Sequence, residues 1–167
     1  MRQDYPTDRR RMTKNLTLQS VLEKAIQKEI ESQELYRHLS RTATDNVARE
    51  IFRQLSQVEK RHEELLRKYL RGELGEGALK REQALDYRIA EHLEQPRIKP
   101  DMKLDEVLLL AANREKASHE FYLALAGEHP VGKVKTLLEE LASQELEHKQ
   151  RMEYMYTEVA FPQTAGG

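Results

Sequence analysis

Apolar residues recur at three- and four-residue spacing along most of the chain, the period of one helix face. From about Thr17 to Ala43 the stripe reads Leu18, Val21, Leu22, Ala25, Ile26, Leu35, Tyr36 and Leu39. Asp45 offers an N-cap after a very short connection, and Val47, Ala48, Ile51, Phe52, Leu55, Leu65, Leu66 and Tyr69 carry a second helix to about Arg71. So short a link makes the first two helices antiparallel. A third stripe runs through Leu104, Val107, Leu108, Ala111, Ala112, Ser118, Phe121, Tyr122 and Leu125, with Gly127 expected at C′. Pro130 suits the first turn of a fourth helix carrying Val134, Leu137, Leu138, Leu141, Met152 and Met155. No segment alternates as a strand does, so the expected fold class is all-α, a four-helix bundle.

Between the second and third stripes, Gly72, Gly75 and Gly77 break the helix, and Pro96 and Pro100 punctuate the chain before the third stripe begins. Within this connection Ala78 to Leu93, with Leu85, Ile89, Ala90 and Leu93 at helical spacing, predicts a shorter helix across the outside. A connection this long can span a helix of about 25 residues at ~1.5 Å rise each, which lets the third helix run parallel to the second. That separates a crossover bundle from a simple up-and-down one. Residues 1–16 read as a basic flexible tail, with Arg9, Arg10, Arg11 and Lys14, and 159–167 as a loose C-terminal tail in which only Phe161 is expected to dock.

Composition narrows the function classes. The 167 residues suit one domain, 17–158, built of two halves. Acids and bases nearly cancel to a formal charge of −1, so no bulk attraction to nucleic acid or anionic membrane is expected. No apolar run is long enough to span a bilayer and the basic start has no apolar h-region, so a soluble, cytoplasmic protein is expected. Cysteine is absent, which removes disulfides, thiolate nucleophiles and Cys-ligated iron. Any metal must sit on oxygen and imidazole.

The candidate chemistry lies in a repeat. Glu59-Lys60-Arg61-His62 returns as Glu145-Leu146-Glu147-His148, 86 residues later, and the same offset aligns Glu29 with Glu115, Ser32 with Ser118 and Tyr36 with Tyr122. Three, four and seven residues from Glu29 stand Ile26, Ala25, Leu22, Ser32 and Tyr36, with only Gln33 strongly polar. Glu115 has Ala112, Ala111, Leu108, Ser118 and Tyr122; Glu145 has Ala142, Leu141, Leu138, His148 and Met152; Glu59 has Ser56, Leu55, Phe52, His62 and Leu66. Four carboxylates therefore face one core, joined by His62 and His148, each on the face of its own Glu.

Burying one unpaired carboxylate costs several kcal/mol, and four together add mutual repulsion. No Lys or Arg is expected on these stripes, so the balancing charge must be foreign. Two divalent cations, or an oxidised pair with an oxide bridge, balance four negative charges. Oxygen-rich ligation with two imidazoles suits iron or manganese, with zinc a competitor. Tyr36 and Tyr122 are placed either to hydrogen-bond a ligating carboxylate or to act as ordinary core tyrosines. His119 aligns with Gln33 and is expected to make a peripheral polar contact, while His38, His92 and His129 read as surface or capping residues.

Ala25-Ile26-x-x-Glu29-x-x-Ser32-x-x-Leu35-Tyr36, Glu59-x-x-His62, Ala111-Ala112-x-x-Glu115-x-x-Ser118-x-x-Phe121-Tyr122 and Glu145-x-x-His148 together resemble the rubrerythrin branch of the ferritin-like superfamily, over about residues 17–158. The resemblance implies a ferritin-like bundle, a centre of two iron ions per subunit, frequent homodimers and reactions with peroxide or dioxygen. By the motif its ligands are Glu29, Glu59, Glu115, Glu145, His62 and His148. The resemblance stops at two points. Rubrerythrins append a Cys-ligated rubredoxin domain, so here electrons are expected from a separate donor protein or from substrate iron. They also carry a further Glu three residues after the third-helix ligand, where this chain has Ser118.

The expected function is therefore a di-iron oxidoreductase reducing hydrogen peroxide or dioxygen with external electrons. The alternatives are a ferroxidase or iron-handling protein, a metal-stabilised interaction or sensor module, and, with manganese in the same ligands, catalase-like chemistry.

Overall fold

The computed structural model describes residues 17–73 and 88–162. The expected basic tail 1–16, most of the predicted crossover helix and residues 163–167 lie outside these. Five helices are described: α1 (Leu18–Thr42), α2 (Asn46–Leu70), α3 (Ile89–His92), α4 (Leu104–Gly127) and α5 (Lys133–Ala160).

Local chemistry sets the helix ends. The Thr17 hydroxyl accepts the Ser20 N–H at 3.1 Å, and the Asp45 carboxylate accepts the Ala48 N–H at 2.7 Å, each satisfying an orphan donor of a first turn. α2 closes with Gly72 in the left-handed region, φ 71°, which aims the Gly72 and Glu73 N–H groups back at Tyr69 O and Lys68 O, both at 2.9 Å. The Lys103 backbone N–H donates to Glu106 at the start of α4.

Three local expectations differ. Gly127 is the last residue of α4 rather than C′, because Glu128 and His129 keep turn geometry and donate to Leu125 O and Ala126 O, so no left-handed residue is required. Pro130 lies in the connection; α5 starts at Lys133 because Gly132 is extended and Thr136 N–H is the first to bond back to it. Phe161 does not dock, being 70% exposed beyond the end of α5, which continues through Ala160.

The topology follows from which ends share a core. One apolar cluster combines Leu39 and Ala43 from the end of α1, Ile51 and Phe52 from the start of α2, Val107 and Leu108 from the start of α4 and Met152 from late α5. The other combines Val21 and Leu22, Leu66, Leu125 and Ala126, and Leu137 and Leu138. Thus α1 is antiparallel to α2 and α4, while α2 runs parallel to α4, the crossover arrangement expected of a ferritin-like bundle. Leu66 and Leu138 are fully buried, each contributing about 1.5–3 kcal/mol by burial. The crossover reaches α4 with Thr44 N–H donating to Pro100 O at 2.9 Å. Between the two clusters, at mid-bundle, lies a layer that is not apolar.

Candidate metal centre

That layer holds the repeated acids. Glu29 on α1, Glu59 and His62 on α2, Glu115 on α4 and Glu145 on α5 are all buried, with His148 half-buried. His62 Nδ1 lies 3.3 Å from Glu145 Oε1, 3.4 Å from Glu59 Oε2 and 3.7 Å from Glu29 Oε2. His148 Nδ1 lies 3.5 Å from Glu115 Oε2 and 3.8 Å from Glu145 Oε2. Two ligand sets emerge, Glu29–Glu59–His62–Glu145 and Glu115–Glu145–His148, each with donor atoms within 4.8 Å of one another. Glu145 belongs to both and offers one oxygen to each histidine side, as a bridging carboxylate must. The two imidazoles stack, centroids 5.4 Å apart.

The donor atoms left without hydrogen bonds test whether metal ions fit. Glu29 Oε2, Glu59 Oε1, Glu115 Oε2, both Glu145 oxygens, His62 Nδ1 and His148 Nδ1 are buried without a hydrogen bond, and all belong to the side chains of the two ligand sets. Orphaned buried polar atoms are rare because each costs about 1–3 kcal/mol or more. Seven within the two ligand sets, all oxygen or imidazole nitrogen, fit a pair of cations bound at these side chains.

Without metal, protons partly compensate the charge. Burial, followed by the Glu145 charge, pushes Glu115 up to about 7. Burial, then Glu145 and Glu115, raises Glu59 well above the carboxylate range. Burial alone would depress His62, but the carboxylates of Glu145, Glu29 and Glu59 outweigh it and raise the imidazole well above its usual value. The same contest, won by Glu115 and Glu145, takes His148 to about 9. Glu145 moves the other way: burial opposes its charge, but His148 and His62 hold it well below the usual range.

Two tyrosines brace the box. The Tyr36 hydroxyl donates to Glu115 Oε1 and the Tyr122 hydroxyl to Glu29 Oε1. Each phenol therefore crosses to the carboxylate of the other half, because antiparallel α1 and α4 place it there rather than beside its own Glu. Burial, reinforced by these carboxylates, keeps both phenols neutral. Ser118 is buried and accepts from Lys28 Nζ at 2.5 Å, and His119 Nδ1 lies 2.6 Å from Ala142 O, away from the box. His38 and His92 are exposed and His129 half-buried.

The expectation that no Lys or Arg shares these stripes is corrected by Lys149. It stands four residues after Glu145 and is completely buried, but its ammonium lies 3.0 Å from both Glu91 and Glu153 rather than in the box. Glu153 also accepts the Ala90 N–H at 2.8 Å, anchoring α3 to α5. The helical spacing from Glu145 was visible in sequence, but its counter-ion on α3 was not.

The halves also differ in access. The His62 side chain is 6% exposed and that of His148 21%. His148 lines a groove of about 210 Å³ between α2 and α5, together with Arg61, Arg151, Met152 and Met155.

A crossover four-helix bundle with one Glu from each of two helices and Glu-x-x-His from each of the other two defines the class of ferritin-like carboxylate proteins with dinuclear sites. The sequence model of the Rubrerythrin family matches residues 7–94 and 106–164. The chain belongs to the rubrerythrin family. A solved structure, a hypothetical protein from Pyrococcus furiosus, is similar in fold with TM-score 0.55 and 24% identity, over 89% of this chain and 94% of that one. No curated protein matches the chain. Among the described residues no helix is long and apolar enough to cross a membrane.

Proposed function

We propose that the protein is a di-iron oxidoreductase that reduces hydrogen peroxide, or dioxygen, with electrons from a separate donor protein. The observation that carries this reading is the pair of overlapping ligand sets sharing Glu145, four carboxylates and two imidazoles with no lysine or arginine among the described residues paired to them. Glu29, Glu59, His62 and Glu145 would hold one ion, and Glu115, Glu145 and His148 the other. Hard oxygen donors with two nitrogens favour iron or manganese over softer-ligand metals. Bound iron supplies one-electron redox chemistry at each ion. Two electrons and two protons convert one peroxide to two waters.

The chain's own residues supply geometry and protons. Tyr36 and Tyr122 hold one oxygen of Glu115 and of Glu29, leaving the other oxygen of each turned inward. Kept neutral, each phenol retains a proton at Oη beside the reacting volume. The apolar clusters on either side exclude bulk water, and the groove at His148 admits a molecule as small as peroxide. The 167 residues contain no cysteine with which to hold an electron-transfer iron, and in this reading the electrons come from a separate donor protein. A cytoplasmic homodimer is part of the same reading.

The test loads the protein anaerobically with two equivalents of Fe(II), mixes it with peroxide and follows the rise of ferric absorption, then supplies a reductant. Repeated peroxide consumption supports the reading. A single oxidation with no turnover on any reductant leaves a ferroxidase, which the greater exposure of His148 favours as second reading because an ion there has a path to solvent. Iron retained after aerobic loading separates the two: about two ions per chain for a fixed cofactor, many more for iron handling.

A further inference from the structure

On the opposite face of the bundle from His148, α1 and α4 enclose a groove of about 490 Å³ that none of the six metal-centre side chains lines. Its buried floor includes Ser118 and Tyr36, the phenol that holds Glu115. Its rim carries Lys24, Lys28 and Arg114 against a single acid, Glu31, whose carboxylate is engaged by Gln27 at 3.0 Å. Among the described residues Lys24 and Arg114 make no ion pair with a carboxylate. Lys28 is half-buried, donates to Ser118 and lies 5.6 Å from the centre of the Phe121 ring. A partly buried ammonium held by a neutral hydroxyl is costly unless an anion joins it.

The repeat fixes where the charges sit. The 86-residue offset maps Lys28 onto Arg114, Ser32 onto Ser118 and Leu35 onto Phe121. Since Lys28 packs at Phe121, the same relation sets Arg114 toward Leu35 at the other end. Phe121 and Arg114 are seven helical residues apart, roughly 10 Å along α4 at ~1.5 Å per residue. The groove thus presents positive charge at both ends, hydroxyls of Ser32 and Ser118 between them, and apolar walls from Leu35, Ala117 and Phe121.

We propose that this groove binds a small organic dicarboxylate, with one carboxylate at Lys24 and Lys28, the other at Arg114, and the carbon chain along the apolar walls. Inorganic phosphate is too small to reach both ends. A flat protein surface does not reach the recessed floor, whereas ligand pockets commonly have this size and mixture of apolar wall and few polar groups. The groove is built without any of the six side chains of the box, so it does not depend on what the metal centre does. A bound ligand would lie one phenol away from Glu115.

Calorimetric titration of the metal-free protein with suberate, octanoate and inorganic phosphate tests it. The expected result is one suberate per chain, bound at least about tenfold more tightly than octanoate. Arg114→Gln, at an exposed position, brings suberate down to the affinity of octanoate, and Ala117→Trp, also exposed, removes binding of both by filling the groove. Unsaturable suberate binding, equal affinity for octanoate or phosphate, or suberate binding unaffected by Arg114→Gln overturns the proposal. So does sedimentation showing a dimer that Ala117→Trp dissociates, which would make a second copy the occupant.

Discussion

Two sets of buried charges, one turn apart on α5, are handled in opposite ways. One turn beyond Glu145, Lys149 lies 3.0 Å from Glu91 and from Glu153, so the chain sets its own cation between these two acids. At mid-bundle, Glu29, Glu59, Glu115 and Glu145 converge with no lysine or arginine among the described residues paired to them, and protons on His62, His148, Glu59 and Glu115 are the compensation there. The contrast separates two uses of buried charge. Glu91 and Glu153 each also keep one oxygen without a hydrogen bond, but they share a lysine, whereas the four acids of the box share two imidazoles. Such an arrangement fits a metal-binding site better than a means of holding the helices together.

The two clusters part most visibly on adding metal. An ion bound only by the folded state contributes about 2.7 kcal/mol at a hundredfold excess over Kd. Two ions, at about 2–4 °C per kcal/mol for a chain of this size, raise the melting temperature by roughly 10–20 °C. Thermal melts with and without Mn(II) read this directly, and coincident curves would refute it. Lys149→Met should act through the other cluster, leaving Glu91 and Glu153 without their cation at a cost of about 3–5 kcal/mol by denaturant unfolding. Glu115→Gln, which imitates the protonated carboxyl, should change metal-free stability by less than about 1 kcal/mol while removing one of two bound metals. If both variants were equally destabilising without metal, the distinction between the clusters would fail.

The proton-held box also gives pH dependence a sign. Glu115 is raised from 4.5 to about 7, so the folded state binds its proton more tightly than the unfolded chain, and stability drains away as pH climbs through that interval. His148 is raised from 6.5 to about 9, so its contribution is complete below 6.5 and lost by about 9. The depressed Glu145 acts oppositely, but only below about 4.5. The metal-free melting temperature should therefore fall from pH 5 to pH 9, whereas metal affinity rises over the same range as protons leave the ligands. A metal-free midpoint that climbs with pH would contradict the compensation described. The smallest effect belongs to Tyr36→Phe, which frees one Glu115 oxygen at about 1 kcal/mol of stability, but should weaken metal binding by about 10–100-fold.

The helices, their antiparallel pairs and the six box residues were legible because they rest on local spacing: three residues from Glu to His, three and four between apolar neighbours, and one offset relating the halves. Features set by the meeting of distant segments were not. Lys149 reads as an ordinary charged helix position until Glu91 arrives on the crossover to bury it. Tyr36 and Tyr122 stand two turns from their own Glu, but the antiparallel packing of α1 and α4 delivers each to the other half's carboxylate. His62 and His148 are equivalent in the repeat yet differ in exposure, a difference that helical spacing does not encode. Gly127 and Pro130 misled for a smaller reason: both residues favour the ends of helices, but a turn at Glu128 and an extended Gly132 set the boundaries instead.

Anomalous scattering from crystals of protein loaded with Fe(II) or Mn(II), combined with metal analysis of protein isolated from its native host, addresses the centre itself. Two metal positions per chain are expected, one among Glu29, Glu59, His62 and Glu145, the other among Glu115, Glu145 and His148, with Glu145 touching both. A well-folded, metal-exposed protein with no ion at these residues, or ions held elsewhere, would contradict the assignment.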